Sequence, residues 1–203
     1  MEWDKIWALN KSIIDPVTPR YTAINKNTAC RLTIENGPCP SEGRTTELHN
    51  KTKLGTKVVM YGKELYIEKE DAEEIVEGEK ITLMKWGNVN ISKIVKETNG
   101  TFHLTGTVNE SDMDFKKTKK LTWLCADPET ICEIELIELG HLINKRKIEE
   151  DDKVEDLFNK DSVVNTPCYA EGCVRLLQKK TSFQFERRGY YIVDRPAFHE
   201  KPL

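Results

Sequence analysis

No stretch of this sequence approaches the roughly 20 consecutive apolar residues that a membrane-spanning helix needs. The opening residues, MEWDKIWALN, carry Glu2 and Asp4 and lack a long apolar core, which argues against a secretory signal. The phosphate-cradling GxxxxGK(S/T) loop, the GxSxG nucleophile elbow and the zinc-binding HExxH pair are all missing. His49, His103, His141 and His199 are scattered. The six cysteines, Cys30, Cys39, Cys125, Cys132, Cys168 and Cys173, form no CxxC pair, so the spacing argues against a metal site. Their number alone would permit a disulfide framework. Without a secretory signal they read as free thiols in the cytosol. Carboxylate pairs are abundant but lie in runs of charge that read as wet surface. No catalytic constellation emerges, which points to a binding module without a cofactor of its own.

A basic excess is missing too. The 203 residues hold 31 Lys and Arg against 34 Asp and Glu, a net charge of −3. A general nucleic-acid coat would be basic overall, so any phosphate contacts must come from a local patch. Charge is in fact uneven. Residues 62–80 carry eight acids against three lysines, whereas residues 170–203 carry seven Lys or Arg against four acids.

What is present is strand pattern. Residues 2–14 place Trp3, Ile6, Trp7, Leu9, Ile13 and Ile14 near helical spacing, and Asp15-Pro16 ends that helix. The two tryptophans are expected to pack the helix onto the body of the protein, with some apolar surface left exposed at this end. From residue 21 onward, short alternating segments dominate: ACRLTIEN at 29–36, two strands in KVVMYGKELYIE at 57–68, then ITLMKWGNVNISKI, TFHLTGTVN, KKLTWLCAD and ICEIELIEL. Residues 38–57 read as a long connection, EDAEEIVEGE as a short acidic helix or turn, and 144–165 as loop or short helix. CVRLLQKK and FQFERRGYYIVD read as closing strands. Many short strands without long intervening helices predict a mainly β protein of closed antiparallel barrels.

The segment FQFERRGYY at 183–191 carries the sharpest local signal. On a strand, Phe183 and Phe185 share one face and Gln184 and Glu186 the other. Gly189 suits the left-handed position of a three-residue hairpin loop, with Arg187 and Arg188 in the turn. Those arginines either keep a hairpin tip soluble or, with Gln184, contact phosphate and base edges. Arginine and glutamine both bond base edges bidentately, and arginine also pairs with phosphate.

WDKIWALNKSIIDPVTPRYTAI at 3–24, ITLMKWGNVNISKI at 81–94, KKTKKLTWL at 116–124 and FQFERRGYYIVD at 183–194 together resemble, in order and spacing, one family. It is the C-terminal anticodon-binding region of eukaryotic-type glutamyl-tRNA synthetases, in the glutamyl/glutaminyl branch of class I. The resemblance implies a proximal and a distal antiparallel β-barrel after a short N-terminal helix. Residues 1–25 would form the helix and linker, 26–73 with 149–203 the proximal barrel, and 74–148 the distal one. It implies a cytoplasmic monomer, bound to no membrane, that recognises the anticodon loop of the glutamate tRNA. The catalytic and stem domains, with the ATP and magnesium of glutamate adenylation, would lie in the parent enzyme outside these residues.

Carried over residue by residue, the resemblance makes Arg20, Gln184 and Arg187 anticodon contacts that converge on one face of the proximal barrel. Arg188 lies beside them, and HNKTK offers Asn50 or Lys51. Where glutaminyl relatives carry a Lys-Arg pair that reads the third base, this chain has Glu73 and Glu74. Lys85, beside Trp86-Gly87, is the candidate for that role, against a plain exposed strand lysine. A glutaminyl specificity and a non-catalytic interaction scaffold are the alternatives; IDPVTPRYTAI and KWGNVN favour the glutamyl type.

Overall fold

The computed structural model describes residues 3–145 and 148–197, without the side chains of Trp3, Asp4 and Val154. The protein is mainly β, with a short N-terminal helix α1 at Trp3–Ile14. Pro16 stops α1 and starts a single 3-10 turn, Asp15–Val17. The strands follow in two groups. The first comprises β1 (Arg20–Tyr21), β2 (Ala23–Asn25), β3 (Cys30–Ile34), β4 (Glu42–Glu47), β5 (Thr56–Tyr61), β6 (Glu64–Ile67), β7 (Lys80–Leu83) and β8 (Gly87–Lys96). The second comprises β9 (Phe102–Asn109), β10 (Lys119–Leu121), β11 (Trp123–Cys125), β12 (Ile131–Leu139), β13 (Val163–Glu171), β14 (Ser182–Phe185) and β15 (Gly189–Ile192). Helices α2 (Lys69–Glu74) and α3 (Val154–Leu157) are short. Among the described residues no helix is long and apolar enough to cross a membrane.

Seven strands form one sheet in the order β10-β7-β8-β9-β3-β6-β11. Its two edge strands are halves of one segment, interrupted only at Thr122. The sheet therefore curls until its edges meet through a single residue, which makes it a nearly closed barrel. Alternate side chains fill it: Leu32, Ile34, Leu65, Ile67, Ile81, Leu83 and Leu104 are fully buried in one cluster. Burial contributes about 1.5–3 kcal/mol for each such side chain.

The remaining sheets are open. Sheet β12-β13-β2 and sheet β1-β14-β15 are joined because β1 and β2 are one strand broken at the buried Thr22. Tyr21, Ala23, Leu136, Cys168, Ala170, Phe183 and Phe185 form their shared core. Strands β4 and β5 pair separately.

The mainly β class, the short N-terminal helix and a nearly closed barrel are as expected; the other sheets are open, and β1/β14, β7/β10 and β3/β9 are parallel pairs. The seven-stranded sheet crosses the expected boundary between residues 73 and 74. Strand β3 pairs with β9 and β6 with β11, since their buried faces share one core. Strand β12 likewise leaves the distal range and pairs with β13 along nine residues. Sequence pattern marks strands, but pairing between distant ones depends on which faces meet in the core.

Strand β4 lies inside the expected long connection, because Glu42–Glu47 has no apolar alternation to reveal it. Pro167 concealed β13, and the first four residues of the expected strand CVRLLQKK belong to a 3-10 helix, Gly172–Leu176. Trp7 is 55% exposed, alongside exposed Ile6, Leu9 and Ile13, so α1 presents apolar surface instead of burying it. The packing expected of Trp3 lies outside the described side chains.

All six thiols are free, and Cys39 is the exposed one. Burial pushes Cys168 up to about 11 and Cys173 up to about 12, so neither forms a thiolate near neutrality. A thiol reagent applied to the folded protein at neutral pH is expected to modify Cys39 first. Mass mapping that finds Cys168 labelled as fast would contradict this packing.

Candidate nucleic-acid interface

Strand register builds the site. Arg20 on β1 lies opposite Gln184 on β14, which in turn lies opposite Tyr190 on β15. Opposed residues share a face. Their neighbours Tyr21 and Phe185 point into the core, so Arg20, Gln184 and Tyr190 form a half-buried row on the opposite face across three strands, with the Arg20 side chain 16% exposed. The sequence reading brought Arg20 and Gln184 together correctly, although they are 164 positions apart. It missed Tyr190, whose alternation with Tyr191 was the available signal.

Arg20 is held by two neighbours. Its Nη2 donates to Asp15 Oδ1 at 2.8 Å and its Nη1 to Asn50 Oδ1 at 3.0 Å. Tyr190 Oη donates to the same Asp15 oxygen at 2.8 Å. The Tyr190 hydroxyl, and after it Arg20, hold the Asp15 carboxyl below its usual range against the opposing effect of burial. Asp15 thus fixes two members of the row, Arg20 and Tyr190, from the turn after α1.

Asn50 arrives on the 48–55 loop, which Arg20 itself anchors through its N–H to the Leu48 carbonyl at 2.8 Å. His49 is buried beneath that loop. The backbone N–H groups of Lys51 and Thr52 donate to its Nδ1 at 3.1 and 3.0 Å. Nδ1 is therefore the acceptor and the ring proton sits on Nε2. His49 Nε2 and Arg20 Nε are both buried without a partner among the described residues. Unmet buried donors are uncommon, and both of these lie where Arg20 meets the 48–55 loop. Lys51 extends from the same loop into solvent.

Arg187 and Arg188 do not join this group. The hairpin is a three-residue loop, Glu186–Arg188, with Phe185 opposite Gly189. Arg187, not Gly189, takes the left-handed position, at φ 66°. Its guanidinium turns to α2 and grips the Asp71 carboxylate with both Nη atoms. Arg188 donates to Glu68 Oε1 at 2.5 Å and to the Ala23 carbonyl at 3.2 Å. The acidic segment around α2 draws both cations toward itself. The side chain of Arg187 is still 46% exposed, whereas that of Arg188 is 21% exposed.

Lys85 sits on a turn rather than a strand, at φ 66° in a loop of the same geometry, with Leu83 opposite Gly87. Tyr61 Oη donates to its carbonyl at 2.8 Å and Trp123 Nε1 to the Met84 carbonyl at 2.9 Å. Its ammonium approaches Glu186 at 3.9 Å, so the two hairpin tips meet. Burial, more than the nearby Lys57, lowers the Lys85 pKa. Glu73 and Glu74 lie exposed on α2, with Glu73 3.7 Å from Lys69.

Residues 18–108 and 120–194 match two sequence profiles that share one description: tRNA synthetases class I (E and Q), anti-codon binding domain. The chain is 37% identical over 198 residues to a probable cytoplasmic glutamate–tRNA ligase of Schizosaccharomyces pombe, covering 97% of this chain and 28% of that protein. It is 38% identical over 207 residues to the cytoplasmic glutamate–tRNA ligase of Saccharomyces cerevisiae, covering all of this chain and 28% of that protein. It is 37% identical over 199 residues to the bifunctional glutamate/proline–tRNA ligase of Mus musculus, covering 97% of this chain and 13% of that protein. The chain thus spans under a third of these relatives.

Proposed function

Because the chain belongs to the anticodon-binding family of class I (E and Q) tRNA synthetases, we propose that it binds the anticodon loop of the glutamate tRNA. In this reading it serves a cytoplasmic glutamate–tRNA ligase. The observation that supports it is the row Arg20–Gln184–Tyr190, bordered by Asn50 and Lys51. Unstacked bases are read by planar side chains that stack and by amides and guanidinium groups that bond base edges. Tyr190 supplies the ring, Gln184 the amide and Arg20 the guanidinium.

Arg187 remains a contact in this proposal. Its side chain is 46% exposed, although that of Asp71 is 13% exposed, so the pair is partly screened by solvent, worth about 1 kcal/mol, and an incoming phosphate can replace the carboxylate. Arg188 holds the hairpin to Glu68 instead. Lys85, half-buried at the meeting of the two tips, is retained as the candidate third-base contact. The ATP- and magnesium-dependent adenylation of glutamate is assigned to a catalytic domain outside these residues.

Titration with glutamate tRNA and with the same tRNA carrying an altered anticodon tests the proposal. Tighter binding of the natural anticodon, weakening as salt rises, is expected. Equal binding of both RNAs would favour an interaction scaffold. Preference for the glutamine anticodon would favour the sister specificity.

A further inference from the structure

Strand 20–25 leaves one sheet and enters another at Thr22, whose carbonyl accepts the Glu171 N–H but whose own N–H meets no backbone acceptor. A buried ion pair takes over. Lys57 on β5 and Glu171 at the end of β13 have side chains only 2% and 6% exposed, with Nζ and Oε2 2.6 Å apart. Lys57 Nζ also donates to the Arg20 carbonyl at 2.7 Å, and Glu171 Oε1 accepts the Thr22 N–H at 3.1 Å. The ammonium lies 5.0 Å from the centre of the Tyr21 ring. The pair thus grips the backbone on both sides of the residue that follows Arg20.

We propose that Lys57 and Glu171 are positioning residues for anticodon reading: they set the bend at Thr22 and thereby aim the Arg20 side chain. The inference rests on the proposed function above. A buried ion pair is weak evidence for added stability, because desolvation offsets the attraction. What this pair does supply is direction. The Lys57 ammonium and the Glu171 carboxylate supply a donor and an acceptor to peptide groups that the strand break leaves without ladder partners. A shift of the Arg20 Cα would carry its guanidinium away from Gln184, opposite it in the register. Base-edge bonds are steeply directional, so a small rotation loses them while general RNA attraction persists.

The test uses the full natural polypeptide that contains this chain, with glutamate tRNA and the same tRNA carrying an altered anticodon as probes. The double variant Lys57→Met/Glu171→Gln leaves no lone buried charge and keeps an acceptor for Thr22. It is expected to lower the preference for the natural anticodon about tenfold, while binding of the altered tRNA is unchanged. In an Arg20→Ala background the same pair of changes is expected to add nothing, because there is no guanidinium left to aim. A merely structural role would not produce that non-additivity. Lys57→Arg, which keeps the charge paired but moves the donor, is the second variant should the first not fold, and it too should lower the preference.

Unchanged preference in the variants, or losses that add to that of Arg20→Ala, would overturn the positioning role alone. A wild-type protein that shows no anticodon preference would overturn both the positioning role and the proposed function.

Discussion

Alanine at Arg20 is expected to lower affinity for the glutamate tRNA about 10- to 100-fold, from loss of roughly 1–3 kcal/mol of base contact. The altered-anticodon tRNA should lose far less, since the general phosphate attraction comes from other cations. Two observations set the size of the effect. Arg20 lies opposite Gln184 in the register. It is fixed by Asp15 and Asn50. A fixed guanidinium loses little freedom on binding, so more of the interaction appears as affinity. Gln184→Ala should act in the same direction and couple to Arg20→Ala. Equal losses on both tRNAs would mean that Arg20 contacts phosphate rather than base. Unchanged binding would remove the row from the interface.

The largest expected loss of stability follows Glu171→Ala. That change strands the Lys57 ammonium, 2% exposed, with the Arg20 carbonyl as its remaining hydrogen-bond partner. Breaking a buried pair on one side costs about 3–5 kcal/mol. For a domain of this size that corresponds to a fall in Tm of about 10 °C. Asp71→Ala is the contrast. Its partner Arg187 is half exposed, so about 1 kcal/mol or less is expected. Thermal unfolding of the two variants side by side decides the matter. Equal shifts would show that burial does not separate these two ion pairs. Replacing Lys57 and Glu171 together by apolar residues is expected to restore much of the loss, because no lone charge remains.

Some elements were legible directly. Apolar spacing and Asp15-Pro16 delimit α1, and alternation marks β3, β9 and the two strands of the last hairpin. Elements without apolar alternation were not. Strand β4 carries Glu, Gly, Arg and Thr, and β13 is interrupted by Pro167. The left-handed residue of the last hairpin is Arg187 instead of the glycine, because tertiary pairing places Gly189 on the strand. In the site, resemblance supplied Arg20, Gln184 and Asn50, while Asp15, Lys57 and Glu171 had no signature and Tyr190 had only its alternation with Tyr191. Each of those four is an ordinary polar residue until its partner is known.

The order of residues by itself determined the mainly β class, the helix end at proline and the family. Those properties depend on local propensity and on motifs short enough to read along the chain. Tertiary structure alone decided which strands share a barrel, that Arg187 faces Asp71 and not Gln184, and that a buried lysine and glutamate hold the bend beside Arg20. Such choices rest on contacts between residues far apart in the sequence, 116 positions for Arg187 and Asp71 and 114 for Lys57 and Glu171, and core packing sets them only after every strand has found its face.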